Sequence, residues 1–149
     1  MDVRALIAVL LAGVLTGSEL TSWGIVHPVL WKLDYPAQTR AEKLMYRRFA
    51  SVDPFLMTGT VIAGFVAAGG MAGTPAKLAF AAAISYAAML AITLLGNMPI
   101  NLRIFRWDEN GGDPAEWRRL RRRWDTIHTV RVVLDCAGSV LITLAALAV

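Results

Sequence analysis

The chain contains two histidines, His27 and His128, and each falls inside a long apolar run. Glu19 precedes His27 by eight residues with Trp23 midway, so a repeated spacing of four sets Glu19, Trp23 and His27 on one helical face. The last apolar run carries Trp124, His128, Arg131 and Asp135 at intervals of four, three and four, again on one face. A charged side chain at the centre of a bilayer costs about 2.5–3.5 kcal/mol on insertion scales, so such groups point at a partner or a cavity. No basic residue of the first run lies near the depth of Glu19. Imidazoles and carboxylates gathered in a cavity can take a proton from an acidic carbon or a phenol. The same groups offer a second chemistry, because His27, His128 and Glu19 supply two imidazoles and a carboxylate, a common transition-metal ligand set. Neither histidine belongs to an HExxH motif, and the chain has no glycine-rich nucleotide loop and no CxxC pair. Structural roles compete for several of these residues. Arg131 and Asp135 could neutralise one another, Asp53 and Asn97 could cap helix ends, and Trp107, Trp117 and Trp124 could anchor the bilayer interface.

The elements that must hold these groups are membrane helices. Of 149 residues, 56% are hydrophobic and only 17% charged, where a soluble domain carries about 25% charged residues; mean hydropathy is +0.52. The net charge of +4 does not indicate a nucleic-acid partner, because the basic residues flank the apolar runs instead of lining one face of a soluble fold. Membrane lipid is the expected surrounding. The single cysteine, Cys136, excludes an internal disulfide and reads as a small core residue. The first run extends too far for a signal-peptide core, so it is expected to be retained as a transmembrane helix.

Four spans are expected, at 3–31, 54–70, 76–96 and 125–148. Pro28 should bend the first. An amphipathic helix at 36–49 follows it, with Ala37, Ala41, Leu44, Met45 and Phe49 opposite Arg40, Lys43 and Arg47. Asp53-Pro54 and Thr74-Pro75 read as cap and first turn of the second and third spans; Gly96, Asn97 and Pro99 read as the end of the third. Asp113-Pro114-Ala115-Glu116 opens one last helix on the order of 50 Å long. The expected fold is an all-α integral membrane four-helix bundle, with a short interfacial helix after the first span and a long last helix extending into the cytoplasm. Arg and Lys concentrate in the first and third connections, which the positive-inside rule places in the cytoplasm, with both termini outside the cell membrane. Helical rise then sets His27 and His128 at similar depths, with Asn97, Asn101 and Asp53 in the same layer.

The stretch Gly96-Asn97-Met98-Pro99-Ile100-Asn101, then Trp107, then the pattern W-x-x-L-R-x-R-W-x-x-x-H-x-x-R from Trp117 to Arg131, resembles the anthrone oxygenase-like family of small four-helix membrane proteins. The resemblance implies oxidation of an anthrone to an anthraquinone, a polyketide-type substrate, without a conventional redox cofactor. Asn97, Asn101, Trp124, His128 and Arg131 match the polar signature of that family. His128 would then be the base that forms the anthrone carbanion, and Asn97 or Arg131 would stabilise the developing oxyanion.

Three readings follow. The first is a membrane-embedded oxygenase-like enzyme that oxidises a hydrophobic aromatic substrate with O2. Its catalytic residues would be His128, Glu19, His27, Arg131 and Asp135, its substrate-binding residues Asn97, Asn101, Trp23 and Trp124, and it would require no cofactor. The second is a metal-dependent membrane enzyme built on His27, His128 and Glu19. The third is a non-enzymatic permeation or assembly protein, which would need a homo-oligomer because four helices leave little room for a pore.

Overall fold

The computed structural model describes residues 2–107 and 112–149; the part of the third connection at 108–111 lies outside them. Among the described residues the protein is all helical, and four continuous helices are long and apolar enough to cross a membrane: α1 (Val3–Leu30), α2 (Tyr35–Gly69), α3 (Gly73–Phe105) and α4 (Pro114–Leu147). Each packs on its sequence neighbours and α4 closes the ring against α1, an up-down-up-down bundle. Large apolar side chains such as Ile7, Leu10, Val14, Phe55, Ile62, Phe80 and Leu144 face outward, as lipid contact requires. The interior is built instead from small and polar residues, which let membrane helices approach.

At the end holding both termini, Ala8, Ala12, Ala79, Ala82 and Ala145 fill the centre with Leu15, Met57, Tyr86, Met89 and Ile142. The Tyr86 ring lies so near Gly138 that a Cβ there would sit 2.8 Å from it, so α3 and α4 meet where one side chain is missing. Gly73, at φ +63°, takes the left-handed turn into α3 that other residues avoid. At the opposite end Tyr46, Trp117 and Trp124 pack with Ile100, Ile104 and Leu120, and Tyr35, Phe105 and Trp107 lie against them.

Several expected boundaries are not boundaries. No separate amphipathic helix exists at 36–49, because α2 runs unbroken from Tyr35 to Gly69 with Asp53 and Pro54 in its interior. Asp34, not Asp53, caps it, accepting from the Ala37 amide at 2.9 Å. A proline ring needs only relief from the carbonyl four residues back, and neighbouring turns can supply that within a membrane helix. Gly96, Asn97 and Pro99 likewise do not end α3: a π turn at Thr93–Asn97 precedes Pro99, and the helix continues to Phe105. The same device precedes Pro28, where Ser22–Val26 is a π turn. The wider turn lets the chain pass the missing proline amide without breaking. Thr74 gives no cap to α3, whose N-cap position is Ala72. Asp2 caps α1, and Asp113 caps α4 through the amides of Ala115 and Glu116. The Glu116 carboxylate forms an ion pair with Arg103 on α3.

Candidate active site

One stripe of α4 carries the site. Trp117, Arg121, Trp124, His128, Arg131 and Asp135 alternate at four and three residues, and all are buried; this seam faces the bundle axis as the a and d positions of a coiled coil do. On α1 the π turn changes what the sequence spacing implies. Glu19, Ser22 and His27 are buried, but Trp23 is 45% exposed. The fifth residue of the wide turn breaks the four-residue register, so Trp23 sits at the rim and not on the face of Glu19 and His27.

Arg131 reaches across to α1, its Nη2 donating to Glu19 Oε1 at 2.5 Å, and its Nη1 to Asn97 Oδ1 on α3 at 3.4 Å. Asn97 donates in turn to the Trp124 carbonyl at 3.2 Å. Among the described residues the direct ion pair of Arg131 is with Glu19 and not with Asp135, and Asn97 serves neither as a helix end nor as a free donor. The other Glu19 oxygen, Oε2, faces His128 Nδ1 at 3.3 Å. The His27 and His128 rings lie 5.4 Å apart at 72°, and both pack near the Trp124 ring, at 4.6 and 4.7 Å.

A second buried cation, absent from the expected site, holds the floor. Arg121 is wholly buried, makes three hydrogen bonds through Nη1 and Nη2, and pairs with Glu42 through charge at Nε. Nε meets Glu42 Oε2 at 3.0 Å, Nη1 donates to the Tyr46 hydroxyl at 2.6 Å, and Nη2 contacts His27 Nδ1 at 2.8 Å and Asp125 Oδ1 at 3.0 Å. Its guanidinium also lies 4.6 Å from the centre of the Trp124 ring. Glu42 accepts further bonds from Gln38 and Tyr46, each at 3.1 Å, and Trp117 donates to Gln38 at 3.4 Å. Each charged group of this set faces an opposite charge, and Glu42 and the Arg121 Nη atoms are also hydrogen-bonded, which favours a buried ion pair.

The histidines lie at the inner wall of a cleft of about 370 Å³ on the seam between α1 and α4, lined by Trp23, Gly24, His27, Pro28, Trp31, Asp125, His128 and Thr129. Trp23 donates to Thr129 at 3.0 Å and Trp31 to Asp125 at 2.7 Å, so each tryptophan is tied across the seam to α4. The cleft thus opens on the outer surface of the bundle, with the imidazoles at its inner wall.

The remaining expected residues lie elsewhere. Asp135 is wholly buried beside Thr16 and Tyr86, outside the cleft lining. Asn101 is half-buried and does not line the cleft. Asp53 is half-buried within α2. The metal set of His27, His128 and Glu19 is not assembled: among the described residues no three His, Cys, Asp or Glu side chains are grouped to hold an ion. His27 Nδ1 turns to the Arg121 guanidinium, and one Glu19 oxygen is bound by Arg131.

Sequence reasoning missed Arg121, Glu42, Gln38 and Tyr46. Arg121 was hidden in a basic stretch with Arg118, Arg119, Arg122 and Arg123, but the seam of His128 and Trp124 extended one turn toward the N-terminus meets it.

No curated protein and no solved structure matches the chain. The sequence model of one family, anthrone oxygenase, matches residues 43–141. That span takes in most of α2, all described residues of α3 and α4 as far as Leu141, and with them Asn97, Arg121, His128 and Arg131. This four-helix, multi-pass membrane protein belongs to the anthrone oxygenase family.

Proposed function

We propose that the protein oxidises a hydrophobic, aromatic, anthrone-like substrate with O2, drawing it sideways from the bilayer into the cleft between α1 and α4. The observation that carries this reading is the cleft itself: apolar and aromatic at its mouth, with two imidazoles at its inner wall. Its volume of about 370 Å³ lies in the range of small-molecule sites, about 300–1,000 Å³. The family match supports an anthrone-like substrate class. The concentration of Arg and Lys in the first and third connections supports placing the cleft in the cytoplasmic half of the cell membrane, with both termini outside.

His128 is the base. Its Nδ1 faces the Glu19 carboxylate, and its Nε2 has no hydrogen-bond partner among the described residues. It takes a proton from the ring CH2, and the electron pair left behind delocalises onto the substrate's carbonyl oxygen. That carbanion reduces O2 and forms a carbon–oxygen bond, and the proton held on His128 completes a hydroperoxide. Loss of the second C–H proton with cleavage of the O–O bond releases water and leaves the new C=O. One CH2 and one O2 thus give one carbonyl and one water, and the substrate supplies all the electrons. Arg131 fixes the Glu19 carboxylate, which orients His128.

His128→Ala should lower turnover of 1,8-dihydroxyanthrone by about 10²–10⁴-fold, the usual contribution of a positioned base. Anthraquinone formation by absorbance, with O2 uptake on the same sample, measures it. Product formation at the wild-type rate by folded His128→Ala protein would sink the base assignment.

A further inference from the structure

We propose that the two histidines are held in opposite tautomers: His27 is the hydrogen-bond donor to the substrate oxygen, His128 is the base, and Arg121 sets the division. The inference rests on the oxygenase reading for its catalytic part, but the tautomers themselves follow from the partners of each ring.

A guanidinium has five N–H donors and no acceptor. Arg121 Nη2 lies 2.8 Å from His27 Nδ1, so that nitrogen carries the lone pair. The His27 ring is therefore neutral, because an imidazolium has no acceptor nitrogen, and its proton is on Nε2. Nε2 lies across the ring from Arg121 and makes no hydrogen bond among the described residues, while the ring lines the cleft.

His128 has the reverse arrangement. Its Nδ1 and Glu19 Oε2 are both buried and lie 3.3 Å apart without meeting hydrogen-bond geometry, and neither has a hydrogen bond to any described residue. Glu19 is bound through its other oxygen, Oε1, by the Arg131 guanidinium at 2.5 Å, which leaves Oε2 turned toward His128. With the Glu19 carboxylate beside Nδ1 and no partner at Nε2, the proton of His128 is assigned to Nδ1, and Nε2 presents a lone pair. One ring offers an N–H, the other a base, and the centroids are 5.4 Å apart.

The division suits the reaction. When His128 Nε2 removes the C–H proton, negative charge moves to the substrate's oxygen, and a fixed N–H at His27 stabilises it there without reorganisation. No net proton enters or leaves. Arg121 acts as a positioning residue. Its contacts with Glu42, Tyr46 and Asp125 lock the guanidinium, and the guanidinium locks the tautomer, as an outer partner fixes the donor nitrogen of a histidine elsewhere.

With only two histidines in the chain, ¹⁵N-histidine labelling of the tag-free protein in lipid nanodiscs yields two rings, assigned by their loss in His128→Ala and His27→Leu. Nitrogen shifts are expected to show one ring protonated at Nε2, His27, and one at Nδ1, His128. In Arg121→Lys, which keeps the charge beside Glu42 but loses the fork, the His27 signals should move toward a tautomer mixture while those of His128 stay. His27 protonated at Nδ1, or both rings alike, overturns the proposal whether or not any anthrone is turned over. On 1,8-dihydroxyanthrone, His27→Leu should lower kcat about 10²–10³-fold with KM little changed, and His27→Gln, whose amide places a donor near Nε2, should recover most of it. An undiminished kcat in His27→Leu overturns the donor role. Absence of turnover by the wild type counts against the oxygenase reading and leaves the spectroscopic result to decide the tautomers.

Discussion

The two ends of the bundle are built on opposite principles. Near the termini, α1, α3 and α4 meet through Ala8, Ala12, Ala79, Ala82 and Gly138, with Tyr86, Met89 and Ile142 filling the gaps. Near the first and third connections the helices are held apart by tryptophans and joined by Arg121, Arg131, Glu19, Glu42 and Asn97. The first end gains from dispersion between close backbones and gives a rigid frame. The second adds directed bonds to ring packing: Arg121 holds the His27 ring, the Trp124 and His27 rings pack on His128, and room is left for a cleft. Both π turns lie in this second half, at Ser22–Val26 and Thr93–Asn97, and such turns recur at functional sites because they re-aim side chains. Rigidity at one end and placed polar groups at the other are what a membrane-embedded site requires.

The connection end depends most strongly on Arg121. Arg121→Met would leave Glu42 buried with its countercharge gone, which costs about 3–5 kcal/mol. Thermal and denaturant unfolding in detergent micelles should register the loss. The double variant Arg121→Met/Glu42→Leu should recover at least half of it, since paired removal leaves no lone charge. A single variant as stable as the wild type would mean that the connection end does not depend on its ion pairs.

At the other end the expected effect is smaller and of a different kind. Gly138→Leu drives a side chain into the Tyr86 ring, an overpacking of about 1–3 kcal/mol. Tyr86→Ala in the same chain should restore part of the lost stability. Because no charge is orphaned, turnover per folded molecule should hold near the wild-type value. A parallel collapse of activity would show that the two ends are mechanically coupled.

The contrast also explains what the sequence could reveal. Polar groups inside apolar runs stand out, so Glu19, His27, His128 and Arg131 were visible as a set, and four apolar helices followed from length and composition. The floor was not visible. Arg121 lies among four other arginines on a stretch that reads as solvated, and Glu42 lies among Arg40, Lys43, Arg47 and Arg48 on what reads as an interfacial helix. Which member of a charge run turns inward depends on the partner helix, and Arg121 and Glu42 find each other only once α2 and α4 are packed. Helix ends were misread for a related reason. Asp53-Pro54 and Gly96-Asn97-Met98-Pro99 carry strong local stop signals, but α2 and α3 continue through both. Water is scarce in the bilayer, so a backbone that ended there would leave carbonyls unsatisfied, and the helix absorbs the proline instead. The π turn then moved Trp23 off the face that a period of four assigned to it.

The smallest expected change in stability offers the sharpest separation of frame from site. Gly24 lies in the π turn at the mouth of the cleft, and a Cβ built there meets no atom within 4 Å. Gly24→Leu should therefore alter stability by no more than about 0.5 kcal/mol, as for other substitutions that touch nothing. The added side chain would nevertheless occupy the space between Trp23 and His27 through which a flat substrate must pass. Turnover of 1,8-dihydroxyanthrone should fall at least about tenfold, mainly through KM, because a narrowed mouth removes binding common to ground state and transition state. Gly13→Leu makes the matched control: a Cβ there also meets nothing within 4 Å, and the residue lies outside the cleft. If Gly13→Leu and Gly24→Leu prove equally harmless to KM and kcat, substrate does not enter between α1 and α4, and the histidines must be reached from another side.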